Sequence, residues 1–493
     1  MTAGSFVPLV SSFYGWRLPV TPAESLQTGS QMRIPFLSSA VGGYGVPLGS
    51  GALTEMPAAP MAGQGKPILG CIAYVLYSSL PYLSTGYALR SHALAMALNG
   101  AGARVQCLTR PGFPWDERLE TLRCPPLSAS AATEIIGGIP YHRLPTPLND
   151  SWLDYPAYVE AATEVLISKF TALRPALVMA ASNHTCALPA LRAARALGLP
   201  FVYEMRGMWE LSRAAREPAF FNSAQFHYER NLETFVAQQA DHVFVLSPNM
   251  RKAMIDRDVT PERITFLPNG CDPTRFGPAG RSADLRARLQ IPLDMPIIGY
   301  AGSFPDYEGL EDLVSAVAAL KTQGKRFRLI LVGDENGTGA SGISSVQALM
   351  QHAQTLNVLD HVLLTGRIDA GEVVDFLDLF DIVTVPRRSL PVTEMVAPLK
   401  PTEAMAAGKA LLVSSVGGMD GMICNGKTGL SFVAGDISDL TDKLSVLLER
   451  PDLRVRLGQA ARATVQAERT WDKVAAQILI RLDQLVGQVN VAP

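Results

Sequence analysis

Lys400 and Glu403 carry opposite charges one helical turn apart, in a stretch suited to a ligand that is anionic at one end and rich in hydroxyls at the other. The segment Glu394-Met395-Val396-Ala397-Pro398-Leu399-Lys400-Pro401-Thr402-Glu403-Ala404-Met405-Ala406-Ala407-Gly408 reads as an apolar loop entering a short helix. Pro401 suits the first helical position, where a missing N–H costs nothing and φ is already helical. Gly408 suits a left-handed cap. The free N–H groups of the loop and helix start, from Leu399 on, make an anion site, and Lys400 adds a full positive charge to it. Glu403 is badly placed against an anion but well placed to accept hydrogen bonds from neighbouring hydroxyls. A phosphate beside a diol describes a sugar nucleotide. The same residues also allow a plainer reading. With Lys400 as N-cap, Glu403 falls at N3 and bonds back to the cap N–H, as half of a capping box.

Holding such groups in place requires a scaffold, and the chain is long enough for two. It has 493 residues, 48% hydrophobic and 18% charged, which is material for two α/β cores. The net charge of −2 gives no case for nucleic acid. The six cysteines are scattered without a CxxC pair, as expected of buried free thiols in a reducing compartment. No secretory leader or membrane-spanning run is visible, so a cytoplasmic protein is expected, with room for peripheral membrane contact.

Residues 1–66, rich in Gly, Pro, Ser and Ala, read as an irregular extension. From Pro67, apolar runs at 68–76, 103–109, 177–181, 200–204, 242–246 and 264–267 alternate with helical stretches. This predicts a first doubly wound domain over 67–275. A Pro/Gly-rich linker follows over 276–295. A second βαβ series over 296–470 has strands at 296–301, 328–332, 361–364, 382–385, 410–414 and 429–432. The last helix, 471–493, is long enough to pack back on the first domain. Ligands of such sheets sit at the carboxyl ends of the strands, so the cleft between the halves is the expected site.

Several motifs fail on inspection. Gly337-Thr338-Gly339-Ala340-Ser341-Gly342 matches GxGxxG, but Asp334 and Glu335 precede it and would repel a pyrophosphate. Asp256-Arg257-Asp258 follows a helical run and reads as a solvated helix end. The seven histidines form no metal-binding spacing, so no metal site is assigned. His184 reads as a satisfied polar residue.

Strand-ending loops of the second half carry the chemistry a sugar nucleotide needs. Gly302 and Ser303 lie where backbone must approach a phosphate, Gly333 ends the next strand, and Arg367 is placed for a nucleobase edge. Together with Pro268-Asn269-Gly270-Cys271-Asp272 and Pro401-Thr402-Glu403-Ala404-Met405-Ala406-Ala407-Gly408-Lys409, these loops resemble the retaining, metal-independent glycosyltransferases of group 1, across about residues 67–490. The resemblance implies a GT-B fold: two Rossmann-like domains, an inter-domain cleft and a C-terminal crossing helix. It also implies a nucleoside-diphosphate sugar as co-substrate, no other cofactor, and a saccharide, lipid-linked or other hydroxyl acceptor. By the same resemblance Glu403 holds the ribose, Lys400 the diphosphate and Glu394 the donor sugar. Gly86, Tyr87 and Arg90 form the first glycine loop of the acceptor side, and Glu204 and Arg206 end another strand at the cleft.

Three departures from the family pattern stand out. Eight residues rather than seven separate Glu394 from Glu403. Ser303 and Glu308 stand where an Arg and a Lys are usual, so Lys400, Arg206 or Arg90 must meet the phosphate charge. The Glu204/Arg206 pair replaces a common His, as in a bacterial subgroup tied to surface polysaccharide assembly. Glu204 and Arg206 also fit a structural ion pair, and Tyr87 also fits core packing. Two other functions share the fold, a sugar-nucleotide epimerase and a non-catalytic binding scaffold.

Overall fold

Runs of Val, Ile, Leu and Tyr bounded by Gly, Pro and Asn form strands buried on both faces, and the helices between them cover those faces. The computed structural model describes residues 51–56, 65–117, 119, 122–126, 133–146, 155–276, 281–334, 344–369 and 371–489. Eight strands build the first sheet: β1 (Ile68–Leu76), β2 (Arg104–Thr109), β3 (Thr133–Ile136), β4 (Ile139–His142), β5 (Pro175–Ala181), β6 (Phe201–Met205), β7 (His242–Val245) and β8 (Ile264–Phe266). Their order is β3-β4-β2-β1-β5-β6-β7-β8, and all pairs are parallel except β3 with β4. The second sheet contains β9 (Ile297–Ala301), β10 (Arg328–Val332), β11 (Val362–Leu364), β12 (Ile382–Val385), β13 (Ala410–Ser414) and β14 (Leu430–Phe432). It is wholly parallel, in the order β11-β10-β9-β12-β13-β14. Strand order reverses between β1 and β5 in one sheet and between β9 and β12 in the other. Each reversal opens a crevice at the carboxyl ends of its strands.

The helix Trp471–Val489 returns to the first sheet. Val474, Ala475, Ile478 and Leu482 join a core cluster with Ile72, Tyr74 and Leu98, and the Trp471 ring lies where a Cβ on Gly270 would stand. Apolar contact between the halves is continuous, since Met208 and Met250 share one buried cluster with Val392, Ala397 and Val416.

Three expectations need correction. The hairpin of β3, at the edge of the sheet, and β4 beside it was not foreseen; these are four-residue strands, too short to leave a periodic signal. The stretch expected to be a linker contains a helix, Arg281–Arg288, with Leu285 buried. Of the irregular extension, Gly51–Thr54 forms one helical turn with Leu53 buried against the core; most of the rest lies outside the described residues, as does the GxGxxG match. Four cysteines are buried as expected, whereas Cys124 is partly exposed and Cys424 exposed.

Candidate functional site

The crevice of the second sheet lies where the loops after β9, β10 and β12 meet the segment before β13. Gly302 and Gly333 both have positive φ, at 152° and 128°. A Cβ on Gly333 would stand 1.9 Å from the Gly302 carbonyl oxygen, and one on Gly302 would stand 2.1 Å from Lys400 Cε. Gly302 therefore makes room for the Lys400 side chain, which a Cβ there would displace. The Lys400 ammonium lies 4.9 Å from the centroid of the Tyr300 ring. It also makes a 3.0 Å ion pair with Glu308 Oε1. That same oxygen accepts Arg387 Nε at 3.1 Å and Nη2 at 2.8 Å. Burial alone would raise the Glu308 carboxyl, but Arg387 and Lys400 overcome it and hold it at about 2. Burial lowers the Lys400 ammonium below its ordinary value, and Glu308 opposes that. Ser303 is exposed at the rim of the crevice, and its carbonyl accepts the Tyr300 hydroxyl at 2.5 Å.

The helix Lys400–Ala406 begins one residue earlier than expected. Leu399 is the N-cap, without a side-chain cap bond, Lys400 is the first helical residue and Pro401 the second. The capping-box reading therefore fails, because Glu403 lies one position too deep to reach the cap N–H. Its partly exposed carboxylate accepts no hydrogen bond among the described residues. Burial raises its pKa, against the pull of Arg275 and Lys400. Gly408 takes the left-handed conformation, φ 69°, as the cap requires. Glu394 lies in the short helix Pro391–Met395, where its carboxylate accepts Ser389 Oγ at 2.6 Å and the Gly417 N–H at 2.7 Å.

Side chains hold the carbonyl oxygens of five consecutive residues. Asn249 Nδ2 donates to Glu394 (3.0 Å), Ser247 Oγ to Met395 (2.5 Å) and Arg387 Nη1 to Val396 (2.9 Å). Asn269 Nδ2 donates to Ala397 (3.0 Å) and Pro398 (3.1 Å). Ser247, Asn249 and Asn269 all belong to the first domain, so this loop is gripped from across the cleft.

On the facing side, Glu204 is fully buried at the end of β6. Arg90 donates to Oε1 through Nε (3.0 Å) and Nη2 (2.9 Å), while Arg206 Nη2 (2.8 Å) and the Tyr74 hydroxyl reach Oε2. Burial would raise this carboxyl, but the two arginines hold it at about 2. Arg206 spends its other terminal nitrogen on the Tyr87 carbonyl (3.0 Å) and Ser91 Oγ (2.8 Å) and lies 4.5 Å from the Tyr87 ring centroid. Glu204 and Arg206 thus form the structural ion pair that their spacing also allowed. Arg206 Nε alone is unpartnered. Tyr87 accepts the Tyr77 N–H at 2.8 Å, and Arg90 Nη1 reaches Asn269 Oδ1 at 2.7 Å. Gly86 starts the helix Gly86–Gly100; a Cβ there would lie 3.5 Å from Leu399.

The structure thus gathers Gly302, Gly333, Glu308, Lys400 and Leu399 at one crevice, and Gly86, Tyr87, Arg90, Glu204 and Arg206 at the other. Arg367 follows β11, in a loop bridged to Gly333 through Gly366, with Arg123 and Asp334 as charged neighbours. His184 is satisfied, pairing with the Tyr155 hydroxyl at 2.7 Å. Of Asp256-Arg257-Asp258, Asp256 caps an exposed helix end as expected, but Arg257 turns inward to Glu210 at 2.9 Å. Sequence reasoning missed Arg387, Ser247 and Asn249. The signal was Val385-Pro386-Arg387-Arg388 and Ser247-Pro248-Asn249, each directly after a parallel strand, where ligands gather.

Two doubly wound sheets with facing crevices and a helix that crosses back define the GT-B fold. In its second domain the chain is similar to the group 1 glycosyltransferases. The family model for glycosyl transferases group 1 matches residues 282–464, and that for the glycosyl transferase 4-like domain matches 85–270. Among curated relatives, the D-inositol 3-phosphate glycosyltransferase of Corynebacterium glutamicum is 28% identical over 267 residues, 52% of this chain and 60% of that protein. The protein of that name from Streptomyces scabiei is 27% identical, covering 58% of this chain and 62% of its own length. The chain thus spans about 60% of the length of these relatives. Among solved structures, sucrose-phosphate synthase from Thermosynechococcus elongatus superposes with a TM-score of 0.68 at 22% identity, over 85% of this chain and 99% of that one. Anabaena HepE in complex with UDP gives 0.63 at 17% identity, over 84% and 99%. These structural likenesses concern the fold. No helix among the described residues is long and apolar enough to cross a membrane.

Proposed function

We propose that the protein transfers a sugar from a nucleoside-diphosphate sugar to a hydroxyl acceptor, with retention and without a divalent metal, in the synthesis of a polysaccharide or glycoconjugate. Glu403 carries this reading. It is a partly exposed carboxylate with no protein donor among the described residues, one turn from the Lys400 ammonium, in the crevice of a doubly wound sheet. Acceptor and ammonium so placed suit a ribose diol and a diphosphate. The relatives' names and the UDP-bound neighbour agree with that chemistry.

In the proposed reaction the acceptor oxygen bonds to the anomeric carbon as the bond to the diphosphate oxygen breaks. Retention brings the acceptor in on the face the diphosphate leaves, so the hydroxyl proton passes to the departing phosphate. Lys400 stabilises the charge that develops there, and a positive charge already in place works best where water is excluded. Glu394 orients the donor sugar; Arg206, spent on Glu204, Tyr87 and Ser91, holds the acceptor-side crevice together rather than meeting the diphosphate.

Calorimetric titration with a nucleoside, its diphosphate and its sugar nucleotide tests this reading. Glu403→Gln weakens a charge-assisted pair and should cost about 1.5–3 kcal/mol, roughly ten- to a hundredfold in affinity. Lys400→Ala should weaken the diphosphate far more than the nucleoside. Unchanged affinity for all three ligands in both variants would refute the assignment, and turnover abolished by EDTA and restored by Mn²⁺ would refute metal independence. The Glu308 carboxylate on Lys400 favours a second reading, a non-catalytic scaffold. Nucleotide binding without release of diphosphate on any acceptor would select it.

A further inference from the structure

The charges around Lys400 are arranged in a way that the donor reading alone does not require. Glu308 lies in the short turn Asp306–Glu308 after β9, and the turn ends at Gly309 with φ 71°. A Cβ on Gly309 would stand 2.0 Å from the Pro386 carbonyl oxygen, so this turn is pressed directly onto the residue before Arg387. The guanidinium of Arg387 then bridges two loops. Two of its nitrogens hold Glu308 Oε1, and the third holds the Val396 carbonyl at 2.9 Å. Lys400 Nζ comes to the same Oε1 at 3.0 Å, while Oε2 has no partner. Side-chain exposure grades outward through the cluster, from 2% for Glu308 and 8% for Arg387 to 18% for Lys400. Two cations on one carboxylate leave a net positive charge, and its exposed end is the ammonium.

We propose that Glu308 and Arg387 are positioning residues for the donor phosphate: as a buried pair they fix the Lys400 ammonium and the Val396 carbonyl relative to one another. This rests on the donor reading given above. The arrangement makes physical sense of a carboxylate at an anion site. A buried ammonium without a counter-charge gives up its proton, so the acid keeps the base charged, and the guanidinium keeps the acid ionised. A planar, permanently charged fork suits the bridging role because it can hold a carboxylate and a carbonyl at once.

The pair can be tested without any ligand. The charged groups around Lys400 are Glu308, Arg387 and Glu403, with the Tyr300 ring beside it. A lysine is acylated as the free amine, so competitive acylation of the intact protein across a pH series, read by mass spectrometry, follows its protonation. In Glu308→Gln the ammonium loses a full counter-charge, and its acylation midpoint should move down by about one pH unit or more. Arg387→Lys keeps the charge but cannot span both partners. Amide exchange at Val396, whose N–H donates to the Val392 carbonyl at 2.9 Å, should then accelerate about tenfold, as local opening becomes easier. An unchanged Lys400 profile in a folded Glu308→Gln protein overturns the proposal. Should that variant not fold, unchanged exchange in Arg387→Lys overturns it instead.

Titration of the wild type with UDP, GDP and ADP separates this failure from failure of the donor reading. Diphosphate binding with an unshifted Lys400 profile sinks the positioning role and leaves the donor site standing. A shifted profile with no binding of any diphosphate sinks the donor site and upholds the pair. If both hold, diphosphate affinity in Glu308→Gln should begin to fall at a lower pH than in the wild type, since the variant loses its ammonium first as pH rises.

Discussion

Glu204 and Glu308 are buried carboxylates, each held by two cations. Taking a charge out of water is repaid only when its partners are close and complete, so removing one member of such a group costs far more than the group contributes as a whole. In the folded protein both carboxyls titrate at about 2, against an ordinary value of 4.5. A depressed acid stabilises the fold above its unfolded pKa, and that contribution disappears as pH falls through the folded one. The acid limb of stability should therefore steepen from about pH 4.5 down to about 2. Glu204→Gln should lose about 3–5 kcal/mol at neutral pH by leaving Arg90 and Arg206 uncompensated, and its acid limb should be shallower. Urea denaturation across a pH series reads both effects, and a variant as stable as the wild type at neutral pH would show that the arginines find other partners. Spacing on a strand made this pair legible. Nothing in the sequence tied Arg90, distant along the chain, to the same carboxylate.

At the scale of the elements, loops after parallel strands do the positioning, and two glycines show different reasons for being glycine. Gly333 meets a backbone oxygen, which cannot move aside, whereas Gly302 meets the flexible end of Lys400. Gly333→Ala should thus destabilise the protein by about 2–4 kcal/mol, from overpacking together with backbone strain at positive φ. Gly302→Ala carries strain at positive φ too, but it meets only a movable side chain, so it should lose less stability while displacing the ammonium and weakening diphosphate binding. Thermal melts and calorimetry on the two variants make the comparison, and equal losses of stability would refute the distinction. The other strands and the long helices were legible to within a few residues, because continuous apolar runs mark strands buried on both faces and a helical apolar pattern marks the helices. The helix start at Lys400 was misplaced by one residue, since Leu399 caps it without a side-chain bond and so leaves no polar signature.

Across the whole molecule, the halves meet through a continuous apolar cluster and a few polar grips, of which Asn269 spans most. It accepts Arg90 with its oxygen and donates to the Ala397 and Pro398 carbonyls with its nitrogen, linking the Glu204 cluster to the segment that leads to Lys400. Asn269→Ala leaves these groups unpaired at about 1–3 kcal/mol. With that link gone the cleft should open more readily, and small-angle scattering should show a larger radius of gyration than in the wild type. Scattering curves that superpose would show that the apolar contacts alone hold the halves together.

The sequence alone determined the architecture: two series of strands buried on both faces, the helix that returns, and the pairing of Lys400 with Glu403 on one short helix. These depend on local periodicity and on neighbours a few residues apart, which a chain displays directly. Only the tertiary structure decided which charges meet. Lys400 faces Glu308, Arg387 bridges Glu308 to Val396, and Asn269 joins Arg90 to the opposite domain. Such encounters arise where strand order reverses and where one sheet faces another, so they join residues whose separation along the chain carries no periodic signal.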